Sequence, residues 1–90
     1  MSVGELILQL EQAKRHMGRA SELILRAEQE MGHAEALIRR SLEGASDQAL
    51  VSLVSRSRQH LIGAGRGSNE TTQRIDETIA RFRGSGGLGK

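Results

Sequence analysis

The stretch RRSLEGASDQAL, residues Arg39 to Leu50, lies at the middle of a chain of 90 residues and decides how the rest is read. Gly44 is the residue type favoured just past a helix C-terminus, because without a Cβ it adopts the left-handed conformation freely. Arg39 and Arg40 stand in the preceding turn, where positive charge suits the C-terminal end of the helix dipole. Ser46 is a natural N-cap, and Asp47 puts a negative charge on the first turn of a new helix. The stretch therefore reads as a helix stop followed at once by a restart, with Leu42, Gly44 and Ser46 as the turn.

Upstream of it the apolar residues repeat without a break. Val3, Leu6, Leu10, Ala13, Met17, Ala20, Ile24, Ala27, Met31, Ala34 and Ile38 follow one another at alternating spacings of three and four. That is the heptad signature of a helix packed along its length, and a strand, with its period of two, does not produce it. One row of the stripe is large (Val3, Leu10, Met17, Ile24, Met31, Ile38). The other, after Leu6, is all alanine (Ala13, Ala20, Ala27, Ala34). Alternating large and alanine layers predict close approach to another helix, at the low end of the usual interaxial range of about 8–10 Å. Ile7, Leu23 and Leu37, with Leu42, form a flanking apolar edge and predict a second interface.

Downstream the same spacing returns at Leu50, Val54, Ser57, Leu61, Ala64, Ser68, Thr71, Ile75, Thr78 and Phe82, with Val54, Leu61, Ala64, Ile75 and Phe82 as its apolar members. Gly63, Gly65 and Gly67 weaken this helix by about 1 kcal/mol each relative to Ala. They predict either a softened continuous helix or a break with a new cap at Ser68 or Asn69. The glycine-rich end, residues 84–90, predicts a flexible tail.

The two arms match in length, so folding back at Gly44 brings Phe82 to Val3, Leu6 and Leu10, and Val54 to Ala34. The expected fold is all-α: an antiparallel two-helix hairpin over residues 1–83, with helices at about 3–43 and 46–83. A hairpin buries one stripe per helix, and a chain with a single aromatic residue, Phe82, falls short of the core that a small domain needs to stand alone. The second apolar edge predicts what completes it, a second hairpin in a four-helix bundle, either the same chain or a similar one.

Composition bounds the rest. There is no cysteine, so no disulfide framework and no thiolate chemistry. No apolar run approaches the roughly 18–20 residues of a membrane span. The N-terminus lacks the basic segment and small-residue cleavage site of a signal peptide, which predicts a cytoplasmic location or export without a cleaved leader. The net charge is only +2, and the arginine pairs (Arg39/Arg40, Arg56/Arg58, Arg81/Arg83) are scattered among glutamates with no aromatics interleaved. Solvated faces and ion pairs within a helix account for them better than phosphate contacts, and no nucleic-acid partner is expected.

Candidate chemistry is sparse. Glu30 and His33 make a Glu-x-x-His pair of the kind used in di-metal helical bundles, but they lie off the stripe, and residues 50–64 contain no carboxylate to complete such a site. His16 and His60 have no acid to orient them as bases, and Ser52, Ser55 and Ser57 have no base. The residues predict no enzyme, no metal and no cofactor.

Equal helices, a small-residue turn at the midpoint and pairing resemble the WxG family, the small ESAT-like hairpin proteins of type VII secretion. Leu42-Glu43-Gly44 stands where that family carries Trp-x-Gly in the turn. The resemblance implies that Leu42 packs at the hairpin tip and Gly44 makes the turn. The family's export signal, Tyr-x-x-x-Asp/Glu, would fall at Phe82 with Gly86 in the acidic position, which implies the role of partner to a chain that carries the signal. The sequence is also similar to actinobacterial hairpin proteins. The expected function is that of a non-enzymatic interaction protein, as a type VII-like small protein or the partner or chaperone of a secreted one. The alternative is an intracellular coiled-coil adaptor with no export role.

Overall fold

A computed structural model describes the backbone of residues 1–43 and 47–88, with side chains as far as Gly84. They form two helices, α1 (Val3–Ser41) and α2 (Gln48–Leu88), and the chain is the antiparallel helical hairpin that its sequence predicts. Among the described residues there are no strands.

Each helix begins on a side-chain cap. The Glu5 amide donates to Ser2 Oγ at 3.1 Å and the Leu6 amide to the Ser2 carbonyl at 3.0 Å, so Ser2 satisfies donors that the first turn would leave without partners. At α2 the Leu50 amide donates to Asp47 Oδ1 at 3.1 Å and the Val51 amide to the Asp47 carbonyl at 3.2 Å. Asp47 is thus itself the cap, and α2 starts at Gln48 rather than at 46. The carboxylate takes this place because it both accepts the amide bond and meets the positive end of the helix dipole. Gly44 and Ser46, assigned to the turn from sequence, lie outside the described residues. Leu42 is half-buried, its amide bonded to the Ile38 carbonyl at 3.0 Å, and the Glu43 amide reaches Arg40 at 3.2 Å in a tightened last turn.

α2 runs unbroken through its glycines. A Cβ on Gly63 or Gly67 would meet open space, whereas one on Gly65 would stand 3.5 Å from Ile24 Cγ2 and 3.6 Å from Glu28 Oε1, ordinary contact distances. Hydroxyls of Thr71, Thr72 and Thr78 bond back to the carbonyls of Gly67, Ser68 and Arg74, on the same helix. Gly63→Ala and Gly65→Ala should therefore each raise stability by about 0.5–1 kcal/mol, by removing backbone entropy from the unfolded chain. Urea titration followed by helicity measures it, and a loss at Gly65 would mean that even a methyl group is too large there. The helix also continues to Leu88, past the Gly84 at which the tail was expected to begin. Glycine costs helix stability but keeps its amide donor, and no proline stands in the way of propagation.

Contacts divide the hairpin into two compact units, Met1–Ser21 with Gly67–Lys90, and Glu22–Arg66. Among the described residues two apolar ones are buried: Ile79 in the first unit (4% exposed) and Val54 in the second (8%).

The packed seam overlaps the predicted one and takes in a further row beside it. The large row of α1 lies in the seam: Leu10, Met17, Ile24, Met31 and Ile38 are all half-buried. Beside it run Ile7, Lys14, Ser21, Glu28, Glu35 and Leu42, each half-buried or buried, a polar row that the apolar stripe did not include. Ile7, assigned from sequence to a second interface, belongs to this seam. On α2, Val54, Leu61, Ser68, Ile75, Thr78 and Phe82 are shared with the prediction, but Val51, Gly65, Thr72 and Ile79 are buried or half-buried where Leu50, Ser57, Ala64 and Thr71 are exposed, with the exposed Arg58 in the same row as Val51 and Gly65. Leu6, Ala20, Ala27 and Ala34 remain half-buried at the edge of the seam, and Ala13 and Ala64 are exposed. The physical reason is complementarity between polar groups, which the apolar pattern does not register.

Candidate interaction site

The polar companion rows meet across the seam. In the Glu22–Arg66 unit, Glu35 is buried with its carboxylate fully engaged. Ser55 Oγ donates to Oε2 at 2.8 Å, Arg58 Nη1 to Oε1 at 2.9 Å and Arg39 Nη2 to Oε2 at 3.2 Å. Arg39 reaches Glu35 along the same helix, while Ser55 and Arg58 come from the other. In the other unit Arg83 pairs with Glu11 at 2.9 Å and Lys14 with Asp76 at 2.6 Å. The buried Ser68 hydroxyl shares a 2.6 Å hydrogen bond with Ser21 Oγ and donates to the Met17 carbonyl at 3.3 Å. Arg58 and Arg83 are solvated, as expected of the arginine pairs, but their ion pairs run between the helices and not within one.

The Ser55 hydroxyl first, then the Arg58 and Arg39 guanidiniums, hold the Glu35 carboxyl below the usual carboxylate range. The Lys14 ammonium is raised by its hydrogen bond to Asp76 and by that carboxylate's charge. For Glu35 the folded state favours the ionised form more than the unfolded state does. Its contribution to stability is complete above the ordinary glutamate value, about 4.3, and is lost as pH falls through the lower folded value. The thermal midpoint should accordingly hold steady near neutrality and fall below about pH 4.3, more steeply for the native chain than for Glu35→Gln. Equal acid slopes for the two proteins would contradict this role.

Each unit also leaves surface open. The Glu22–Arg66 unit exposes Leu23, Leu25, Leu37, Leu50 and Leu53, at 63%, 55%, 57%, 39% and 56%. The other unit has a shallow open groove lined by Leu10 and Ile75 together with Gly67, Glu70, Thr71, Arg74 and Thr78. Leu23 and Leu37, predicted from sequence to form a second interface, are thus fully available, and the alanine row lies between them and the seam.

Elsewhere the chemistry is thin. His33 Nδ1 stands 4.0 Å from Glu30 Oε1, and both side chains are exposed. Among the described residues no cluster of three potential metal ligands occurs, and no helix is long and apolar enough to cross a membrane. Sequence reasoning placed Ser68 on the stripe but missed Glu35, Lys14, Asp76 and Ser21, and the tie that Arg58 makes across the seam. A readable signal existed, since Lys14, Ser21, Glu28 and Glu35 recur every seven residues beside the large row.

Comparison of the chain with protein-family models, with curated proteins and with solved structures finds no match.

Proposed function

We propose that this chain is a non-enzymatic interaction protein, a helical hairpin whose apolar flank pairs with another hairpin to complete a four-helix bundle. The observation that carries the reading is the surface that the two helices leave uncovered. Polar groups tie the helices together, while exposed leucines in one unit and a small-residue groove in the other stand open. Among the described residues only Val54 and Ile79 are buried and apolar, too small a core for a chain of this size to stand on alone, and helices stacked on the open surface supply the missing core.

The test is light-scattering mass on a sizing column, across a concentration series, with helicity recorded on the same samples. A strongly helical species of at least twice the chain mass supports the reading. A strongly helical monomer at every concentration removes its basis.

Within that class we favour a type VII-like small protein, or the partner of a secreted one. The matched helices and the Leu42-Glu43-Gly44 stretch between them in the sequence support this, through their resemblance to the WxG proteins. Tagged protein in the culture filtrate of a host with a type VII apparatus supports export. Retention in the cells favours the alternative, an intracellular coiled-coil adaptor.

A further inference from the structure

Different polar bonds hold the helices together in the two units. In the Glu22–Arg66 unit they converge on one acid. The Glu35 side chain is 11% exposed, and it accepts from Ser55 and Arg58 of the facing helix as well as from Arg39 of its own. In the Met1–Ser21/Gly67–Lys90 unit the charged bonds stand in water. Lys14 and Asp76 meet at 2.6 Å with side chains 41% and 50% exposed, and Arg83 and Glu11 at 2.9 Å with side chains 61% and 32% exposed.

The second arrangement is a quartet of two acids and two bases, one of each from either helix. Its members feel one another. The Lys14 ammonium is raised first by its hydrogen bond to Asp76 and then by that carboxylate's charge, with Glu11 raising it further and Arg83 lowering it. The other polar tie of this unit is uncharged: Ser21 Oγ and Ser68 Oγ share a hydrogen bond, and Ser68 also donates to the Met17 carbonyl. That tie lies where the two segments of the unit end, at Ser21 and Gly67. The quartet therefore holds the remainder, around the buried Ile79.

Ionic strength acts on the two arrangements unequally. The screening length falls from about 30 Å at 0.01 M salt to about 3 Å at 1 M, and pairs exposed to solvent lose their attraction first. A buried carboxylate with hydroxyl and guanidinium donors is screened much less.

We propose that the Met1–Ser21/Gly67–Lys90 unit is a salt-released clasp, its helices parting as ionic strength rises while those of the Glu22–Arg66 unit stay paired. Parting uncovers Ile79 and the half-buried Leu10, Ile75 and Phe82. The apolar seam of this unit is thus withheld at low salt and offered at high salt. The clasp is independent of the pairing reading above, since it concerns bonds within one hairpin.

The test is residue-resolved amide hydrogen exchange on the native chain, from about 10 mM to about 0.5 M sodium chloride. The protein concentration is one at which the light-scattering mass is constant over that range. A helical arm without its partner is marginal in water, so parting appears as lost protection. Amides of α1 before Ser21 and of α2 after Ser68 should exchange about three- to tenfold faster at the high salt, and those of the Glu22–Arg66 unit less than about twofold faster. Equal acceleration in both units, or none in the first, would overturn the clasp. Glu11→Gln combined with Asp76→Asn removes both exposed pairs at nearly constant shape. Exchange in the first unit should then be fast already at low salt, and salt should no longer speed it. A salt response as large as the native one would overturn the quartet as its cause.

Discussion

Ile79→Ala should lower stability by about 2–4 kcal/mol, the usual cost of truncating a buried isoleucine. The residue is 4% exposed, the most deeply buried apolar side chain of the described residues. Few others share its load, so the cavity is expected to take away much of the stability of the Met1–Ser21/Gly67–Lys90 unit. Leu8→Ala is the control: Leu8 is 63% exposed, and a change there should stay within about 0.5 kcal/mol. Urea titrations of the two variants beside the native chain make the comparison. Equal losses would mean that the seam does not distinguish inside from outside, and the register of helix on helix described above would be wrong.

The second large effect is expected on assembly. Leu37→Asp combined with Leu53→Asp puts two carboxylates on a flank that the hairpin itself leaves open, since the native leucines are 57% and 56% exposed. A single hairpin should barely register the change. If the flank is covered by a partner, each carboxylate must be stripped of water without a compensating bond, and association should weaken on the order of a hundredfold or more. Sedimentation over a dilution series reads the midpoint. An unchanged midpoint would mean that the partner binds elsewhere, or that there is none.

The architecture was legible because its signals are local and strong. Helix termination around Gly44, and spacings of three and four sustained along both arms, leave little choice but a hairpin, and Val54 was expected beside Ala34, one residue from where Ser55 meets Glu35. What the pattern missed was the face. A hydrophobic stripe marks what avoids water without saying which neighbour covers it. The large row is shared by both flanks, so apolarity alone ranked the alanine row above Lys14, Ser21, Glu28 and Glu35. Those residues pack inward because groups on the other helix satisfy them: Asp76 for Lys14, Ser68 for Ser21, Ser55 and Arg58 for Glu35. The cap shows the same limitation at smaller scale. Ser46 and Asp47 are adjacent and both suited to the position, and only the bond from the Leu50 amide identifies Asp47. At the N-terminus Ser2 with Glu5 three residues on was a readable capping signature.

Glu35 has one more consequence. A seam that repeats every seven residues is like a ruler with similar marks: sliding α2 by one repeat brings another seam residue opposite each, a large apolar one everywhere except at Ser68, so apolar packing discriminates weakly between alignments. Sliding in one direction would set Val51 where Arg58 now stands, and in the other Gly65. Neither has a side chain that can donate to a carboxylate. The buried Glu35 would keep Arg39 from its own helix but lose the Arg58 charge in either direction, with Ile62 or only the neutral amide of Gln48 in the place of Ser55. A single acid thus numbers the marks, and an otherwise periodic pair of helices acquires one alignment.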